Sequence, residues 1–187
     1  MSDTLSLPNR LSPIIDTRAL PPSSNASEQF LRLHLIPDTT ALLPIQQLIE
    51  VLTIPIGQIV PIAHIPSWVM GVYNWRGEIL WMVDLGHRIG LPPWHQQKMG
   101  ISTHTAVVLH IRSDQRTSTN SKSQMLGLVV NRVEDIEWCN SDLIQSPLSV
   151  SITPQLAPFL RGYWLKSTGE MLIVIDGKAI MAGMPKA

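Results

Sequence analysis

Apolar and polar residues alternate along much of the chain that follows Gln29, which is the pattern of β-strands. Residues 30–35, F-L-R-L-H-L, place leucine at every second position and put Arg32 and His34 on the opposite face. An alternation with a period of two predicts a strand that is buried on one face. Residues 78–85, E-I-L-W-M-V-D-L, are nearly all apolar and follow a glycine, which predicts a strand buried on both faces.

Further strands are predicted along the rest of the chain, at residues 105–111, 125–130, 132–138, 162–166 and 171–176. Residues 42–52 fit either one amphipathic helix or a pair of strands, because Pro44 and the β-branched residues permit both interpretations. Residues 86–91 and 177–184 predict short helices, and the wholly polar residues 113–123 predict a loop. Eight or nine short strands without a long amphipathic helix favour an all-β barrel or sandwich over an α/β fold.

Residues 1–27 differ from the rest of the chain in composition. They contain four prolines among serine, asparagine and threonine, which predicts a flexible N-terminal tail rather than part of the core. Residues 28–187 are long enough to bury a core as one domain or one pair of subdomains. Residues 51–75 carry no charged side chain, but three prolines interrupt them, so we expect no membrane-spanning helix there.

Composition excludes some classes of partner. The 187 residues include 14 basic and 14 acidic side chains, so the net charge is zero, and charged residues make up only 15% of the chain. A neutral chain has no bulk attraction for nucleic acid or for an anionic membrane, whereas a weakly charged surface is compatible with protein–protein contact. A single cysteine, Cys139, permits no disulfide within the chain. Together with the lack of a signal-peptide pattern, this indicates a reducing, cytoplasmic compartment.

Sequence patterns that carry catalysis or bind cofactors are missing. There is no phosphate loop, dinucleotide-binding glycine motif, zinc-protease motif or nucleophile elbow. The six histidines do not fall at metal-ligand spacings; His104 and His110 share a strand face, but at about 3.3 Å per residue they stand about 20 Å apart. Cys139 has no basic sequence neighbour that would lower its thiol pKa, so we expect a buried, unreactive thiol. We therefore assign no catalytic, cofactor-binding or metal-binding residue.

The most informative segment is residues 66–85, P-S-W-V-M-G-V-Y-N-W-R-G-E-I-L-W-M-V-D-L. Asn74 and Gly77 are suited to the positive φ angles of a tight turn. Arg76 would project from that turn, either into solvent or toward a carboxylate at a docking surface. Six tryptophans stand out in a chain with only two phenylalanines. They either fill the core or anchor a protein interface, and Trp75, in the turn, is the best candidate for an anchor.

This segment resembles the central motif of the CheW family, the scaffolding proteins of bacterial chemosensory arrays. The residues that carry the resemblance are Pro66, Gly71, Val72, Asn74, Arg76, Gly77, Ile79, Val83, Asp84 and Leu85. Residues 30–35, 49–51 and 126–136 and the strand M-L-I-V-I-D before the last helix are similar to other parts of the family pattern. The resemblance covers about residues 28–184.

The chain departs from the family pattern at three places. Trp75 stands where the family usually has leucine, and Asn131 stands where aspartate is common. Residues 39–42 replace the glycine–aromatic pair that usually opens the second strand.

The resemblance implies two intertwined five-stranded SH3-like β-barrels with short helices, packed on a shared core. It also implies a non-enzymatic adaptor that connects the cytoplasmic tip of a chemoreceptor to the regulatory domain of a CheA-type histidine kinase. Such an adaptor would be cytoplasmic and recruited to membrane receptor arrays, without nucleic-acid partners or direct membrane insertion. The interface residues carried over by position are Leu48, Glu50, Gly71 and Arg76, and the turn residues Asn74, Trp75 and Gly77 complete the predicted receptor or kinase interface. We hypothesise that Arg76 and Glu50 form a pair.

Two other functions remain open at this point. A small β-barrel enzyme or ligand-binding protein would need convergent polar residues in a pocket, and the sequence offers none at a recognisable spacing. An array adaptor could also serve surface motility, such as twitching or phototaxis, and these residues do not distinguish that role from swimming chemotaxis.

Overall fold

A computed structural model describes residues 27–96, 100, 102–111, 124–146 and 153–185. The predicted tail, apart from Ser27, and the predicted loop at residues 113–123 lie outside the described residues. The strands are β1 (Ser27–Leu35), β2 (Thr39–Pro44), β3 (Leu48–Pro55), β4 (Val69–Trp75), β5 (Glu78–Asp84), β6 (Thr103–Ile111), β7 (Gln124–Val130), β8 (Arg132–Asn140), β9 (Leu160–Leu165) and β10 (Met171–Ile175). The helices are α1 (Leu85–Arg88) and α2 (Gly177–Ala182).

The strands form two five-stranded sheets. The strand order in the first sheet is β8-β1-β2-β10-β9, and in the second it is β3-β6-β7-β5-β4. The second sheet is made by one continuous segment, residues 48–130, which is inserted between β2 and β8 of the first sheet. The chain therefore leaves the first sheet after two strands and returns to complete it, which is the interleaving that the resemblance implies.

Both sheets combine hairpins with one parallel pair. Neighbouring strands along the chain pair antiparallel in β1–β2, β4–β5, β6–β7 and β9–β10. The parallel pairs are β2–β10 in the first sheet and β5–β7 in the second. Each parallel pair joins segments that are distant in sequence, so it holds the hairpins of one sheet together.

Each sheet curls until its two edge strands are in contact. In the second sheet, Glu50 on the edge strand β3 binds side chains at the end of the other edge strand, β4. In the first sheet, Glu137 on β8 binds Lys166, which directly follows β9, at 2.7 Å. A backbone bridge between Gln145 and Tyr163 adds a second link at the same seam. We refer to the curled sheets as the first and second barrels.

The apolar side chains form three clusters, because both faces of each sheet are covered. The largest cluster fills the space between the barrels and contains, among others, Leu33, Leu35, Leu43, Val107, Leu109, Leu128 and Ile175. A cluster inside the second barrel includes Ile54, Trp75, Leu80, Met82 and Val108. A smaller cluster inside the first barrel consists of Phe30, Leu42, Cys139, Leu172 and Val174. The burial of both faces explains why several strands are almost continuously apolar.

The structure confirms the all-β prediction and decides the ambiguous segment. Residues 42–52 belong to two strands rather than to one helix, but the strands do not pair with each other: β2 and β3 belong to different sheets, and a short 3-10 turn joins them. The strand at residues 78–85 is buried on both faces only in its second half, because Ile79 is 75% exposed. The two short helices are confirmed as α1 and α2. No helix in the described residues has the length and apolarity that a membrane crossing requires.

Candidate protein-docking site

The β4–β5 hairpin is closed by a two-residue turn at Arg76 and Gly77. Trp75 and Glu78 form the last cross-strand pair, and the φ angles of Arg76 and Gly77 are +54° and +87°. Two central residues with positive φ are characteristic of the type I′ hairpin turn. The Gly77 backbone N–H donates a hydrogen bond of 3.0 Å to the Asn74 Oδ1. The prediction that Asn74 adopts positive φ is therefore wrong: Arg76 does so, and Asn74 supports the turn with its side chain.

Gly71 fixes the other end of this hairpin. Its φ is +139°, and a Cβ atom there would overlap the backbone carbonyl of Val60. That carbonyl is engaged in a backbone bridge, in which Val60 and Val72 exchange N–H···O bonds of 2.8 and 2.9 Å. Only glycine combines the positive φ with such a close backbone approach. Gly71 thus supports the hairpin from behind and does not contact a partner through a side chain.

The hypothesised pair between Arg76 and Glu50 is present in the structure. The Arg76 Nη2 lies 2.7 Å from the Glu50 Oε2, and the guanidinium also lies over the Trp75 ring, 4.9 Å from its centroid. The Trp75 indole N–H donates a hydrogen bond to the other carboxylate oxygen of Glu50. One carboxylate on β3 therefore holds both the buried ring at the end of β4 and the exposed guanidinium of the turn.

Trp75 lies in a different place from the one predicted. It is the last residue of β4 rather than part of the turn, and only 9% of its surface is exposed. Its ring belongs to the apolar cluster of the second barrel. The ring therefore fixes the position of Glu50 and Arg76 and contributes little exposed surface of its own. Whether Trp75 contacts a partner stays a prediction.

The two strands that carry the ion pair also have exposed apolar side chains. On the edge strand β3, Ile49 and Val51 are 42% and 48% exposed, and Ile79, next to the turn on β5, is 75% exposed. Ile79 pairs across the hairpin with Asn74, whereas Val51 pairs with Val107, on the face of β3 that is turned toward the other barrel. Exposed aliphatic residues of this kind supply apolar contacts in protein interfaces, in which charges supply specificity.

The last predicted interface residue, Leu48, is not brought to this turn. It opens β3, pairs with Leu109, and packs half-buried against the cluster between the barrels. The structure therefore assembles Glu50, Trp75 and Arg76 directly and gives Asn74 and Gly77 supporting positions.

Other polar groups that could carry chemistry are engaged in structural roles. Both carboxylate oxygens of Asp84 accept backbone N–H bonds, from His87 at 3.0 Å and from Trp94 at 2.8 Å. Burial lowers the pKa of His104, which stacks edge-on against Trp94. Burial raises the pKa of the Cys139 thiol to about 11, although Arg161 partly opposes the shift, so the buried thiol is protonated at neutral pH. Among the described residues, no group of three or more histidine, cysteine, aspartate or glutamate side chains is placed so that it could hold a metal ion.

A charge network in the first barrel was not anticipated from the sequence. Arg32 contacts Glu134 at 2.5 Å, Glu137 at 3.2 Å and Glu170 at 2.5 Å. The hydrogen bond to Glu170 is the largest cause of a raised pKa at Arg32, and the bonds to the other two glutamates add to it against the effect of burial. The only sequence signal was an arginine inside an alternating strand, since its partners come from segments more than 100 residues away.

The chain is a double β-barrel protein, in which two curled five-stranded sheets pack on a shared core. A rigid hairpin and an ion pair lie on its surface, where another protein can contact them. The CheW-like domain model matches residues 30–183. The chain belongs to the CheW-like domain family. The predicted pair of five-stranded SH3-like barrels is therefore confirmed.

Relatives of this chain carry the same family name. A probable chemotaxis protein CheW from Rhizobium etli is 28% identical over 119 residues, which are 64% of this chain and 66% of the relative. A chemotaxis protein CheW from Rhizobium meliloti is 29% identical over 121 residues, which are 62% of this chain and 64% of the relative. These alignments span about two thirds of the length of the curated relatives.

A solved structure supports the fold. The crystal structure of the scaffolding protein TtCheW from Thermoanaerobacter tengcongensis has a TM-score of 0.62 and 22% sequence identity to this chain. The superposition covers 80% of this chain and 88% of that one. At this level of identity the similarity shows that the two chains share a fold.

Proposed function

We propose that this chain is a non-enzymatic adaptor that couples chemoreceptors to a CheA-type histidine kinase in a chemosensory array. The observation that carries the proposal is the β4–β5 turn, where Glu50 holds the exposed Arg76 in one orientation. A partner that meets this turn finds a preorganised charge, so little conformational entropy is lost on docking.

The proposed partners are the cytoplasmic tip of a chemoreceptor and the regulatory domain of the kinase. A helical receptor hairpin would contact exposed aliphatic side chains by the helix-in-groove mode, and such side chains are Ile79, beside the turn, and Ile49 and Val51 on β3. The kinase domain would pack against a barrel surface. The proposed location is the cytoplasm, at membrane receptor arrays. The motility output, swimming or surface movement, is left open.

Family membership favours this function over a small β-barrel enzyme or ligand-binding protein. The polar groups of the described residues support the same choice. Asp84 is fully used by backbone donors, and Cys139 is a buried thiol whose pKa lies far above neutrality.

Arg76→Glu tests the proposal. The substitution reverses the charge and places two carboxylates together, which should weaken binding to at least one partner by about 10- to 100-fold. Binding is measured by surface plasmon resonance, separately for the kinase regulatory domain and for the receptor hairpin. Because Arg76 is 67% exposed, its stability coupling to Glu50 in a double-mutant cycle is expected to be only about 0.5 kcal/mol.

Arg132→Glu is the matched control. Arg132 is 66% exposed and lies 2.6 Å from Glu134, so it is an equally exposed, ion-paired arginine, but on the first barrel. It should leave both affinities unchanged. Unchanged binding by Arg76→Glu with a native circular dichroism spectrum, or an equal loss in Arg132→Glu, would contradict the proposal.

A further inference from the structure

Arg88, at the end of α1, differs from the other arginines that the structure describes. Each of the other four lies within ion-pair distance of at least one glutamate; these are Arg32, Arg76, Arg132 and Arg161. No carboxylate of the described residues lies within ion-pair distance of Arg88. Within the part of the chain that the structure describes, Arg88 donates one hydrogen bond, from Nη2 to the backbone oxygen of Gly183, at 3.2 Å.

Two aromatic rings hold the Arg88 guanidinium in place. Its Cζ atom lies 4.1 Å from the centroid of the Trp68 ring and 4.5 Å from that of Phe159. Stacking on aromatic rings uses the face of a guanidinium and leaves its N–H edge for an acceptor. The group is therefore oriented, and most of its five donors have no acceptor among the described residues.

Two unsatisfied nitrogen atoms lie at this position. The Arg88 Nε–H donor and the neighbouring His87 Nδ1 are both buried and have no hydrogen-bond partner within the described part of the chain. Burial lowers the pKa of Arg88, with no opposing effect from a nearby anion. A partly buried cation without a counter-charge is costly, and a bound anion would remove much of that cost.

A cavity of about 590 Å³ opens beside these groups. Its walls include Trp68, His87, Arg88, Pro93, Gln96 and Gln155. The volume of this open groove lies within the usual range for small-ligand sites, and such sites combine apolar walls with a few polar groups. With one fixed cationic side chain in its wall, the cavity favours a singly charged, planar anion over a phosphate, which usually engages several cations.

We propose that this cavity binds a carboxylate group, held by the N–H edge of Arg88. The carboxylate comes either from a small organic acid or from an acidic side chain of a partner protein. The site differs from the Glu50–Arg76 turn, and the inference does not depend on the proposed adaptor function. Arg88 also joins the barrels, because Trp68 precedes β4 of the second barrel, whereas Phe159 precedes β9 of the first barrel and Gly183 follows α2. A bound carboxylate would therefore contact a side chain that lies at the junction between the barrels.

Titration of the full chain followed by NMR tests the inference. The probes are propionate, which reproduces the glutamate side chain, succinate, and a blocked Gly-Glu-Gly tripeptide; propionamide is the neutral control of the same shape. We expect saturable shifts of the Arg88 Nε–H and Trp68 indole N–H resonances with dissociation constants of about 10 mM or tighter. Stronger binding of succinate identifies a free acid as the ligand, and stronger binding of the tripeptide identifies a protein side chain.

Variants separate binding from a purely structural role of Arg88. Arg88→Met keeps a similar volume between the rings and should weaken propionate binding by about 10- to 100-fold. Arg88→Lys keeps the charge, loses the planar fork and should retain weakened binding. Arg132→Met should bind like the wild type. The inference is overturned if no carboxylate gives saturable shifts in the wild-type chain, or if propionamide gives the same shifts. A melting temperature lowered by Arg88→Met, without wild-type binding, would leave Arg88 as a structural brace.

Discussion

The two barrels have the same number of strands but are closed by different chemistry. In the first barrel, Arg32 lies inside the seam and is only 19% exposed, with three glutamates around it. In the second, a single glutamate, Glu50, closes the seam against Trp75 and the exposed Arg76. The cation at the seam of the first barrel is therefore mostly buried, whereas the cation at the seam of the second barrel is exposed. Away from its seam, the first barrel also has an exposed ion pair, between Arg132 and Glu134.

The two seams differ in what a change of their charges would cost. Charges that are already shared among several partners, like those around Arg32, are costly to redirect. An exposed pair such as Glu50–Arg76 contributes little to stability, so a partner can contact it at small cost. The comparison favours a structural role for the network around Arg32 and is compatible with the docking role that we propose for the Glu50–Arg76 turn.

The largest expected loss of stability comes from a substitution in the β4–β5 hairpin of the second barrel. Gly71→Ala adds a methyl group that overlaps the Val60 carbonyl at a backbone angle unsuited to alanine, and should lower the free energy of unfolding by about 3 kcal/mol or more. Urea denaturation measures the change. Gly57→Ala is the matched control, because no atom lies within 4 Å of its added Cβ, and it should change stability by less than about 0.5 kcal/mol. Equal midpoints for both variants would refute the account of the hairpin.

The next effect tests the seam of the first barrel. Arg32→Met removes the cation from three partly buried glutamates and should destabilise the chain by about 2–3 kcal/mol. Arg132→Met removes an exposed cation from the same network and should cost less than about 1 kcal/mol. Both are measured by urea denaturation at pH 7. If the two substitutions cost the same, Arg32 is not the centre of the network.

The smallest expected effects are changes in stability with pH. One group in each barrel contributes, and the two contributions should be lost in different pH ranges. Hydrogen bonds from Arg132 and Arg32 lower the pKa of Glu134 in the first barrel below its ordinary value of 4.5. The folded chain therefore binds this proton less readily than the unfolded chain does. The resulting stability is complete above about pH 4.5 and is lost as the pH falls through the lower, folded-state pKa.

In the second barrel, burial lowers the pKa of His104 below its ordinary value of 6.5. The unfolded chain then takes up a proton near that pH before the folded chain does, so stability begins to fall at a higher pH than for Glu134. Denaturation midpoints measured from pH 7.5 to pH 3.5 should show both phases. His104→Phe should remove the upper phase and Glu134→Gln should weaken the lower one. An unchanged pH profile in His104→Phe would show that His104 is not responsible.

Local patterns in the sequence predicted most of the strands. Alternation in residues 30–35, the apolar run at 78–85 and the hairpin at 162–176 all correspond to strands, because the side-chain period of a strand is a local property. The pair between Arg76 and Glu50 was hypothesised by resemblance and is present. The conformation of the turn was predicted less well, since Arg76 rather than Asn74 adopts positive φ.

Contacts between distant segments could not be inferred in this way. The sequence by itself determined an all-β chain of low charge with a glycine-bracketed hairpin, because backbone geometry and burial periodicity act over a few residues. Only the tertiary structure decided that β2 and β3 belong to different barrels, that Trp75 is buried, and that Arg32 gathers glutamates from across the chain. It also showed that no carboxylate among the described residues pairs with Arg88. These features depend on which segments come into contact when the sheets curl and pack. Side-chain periodicity along one strand does not predict which distant segment that strand will contact.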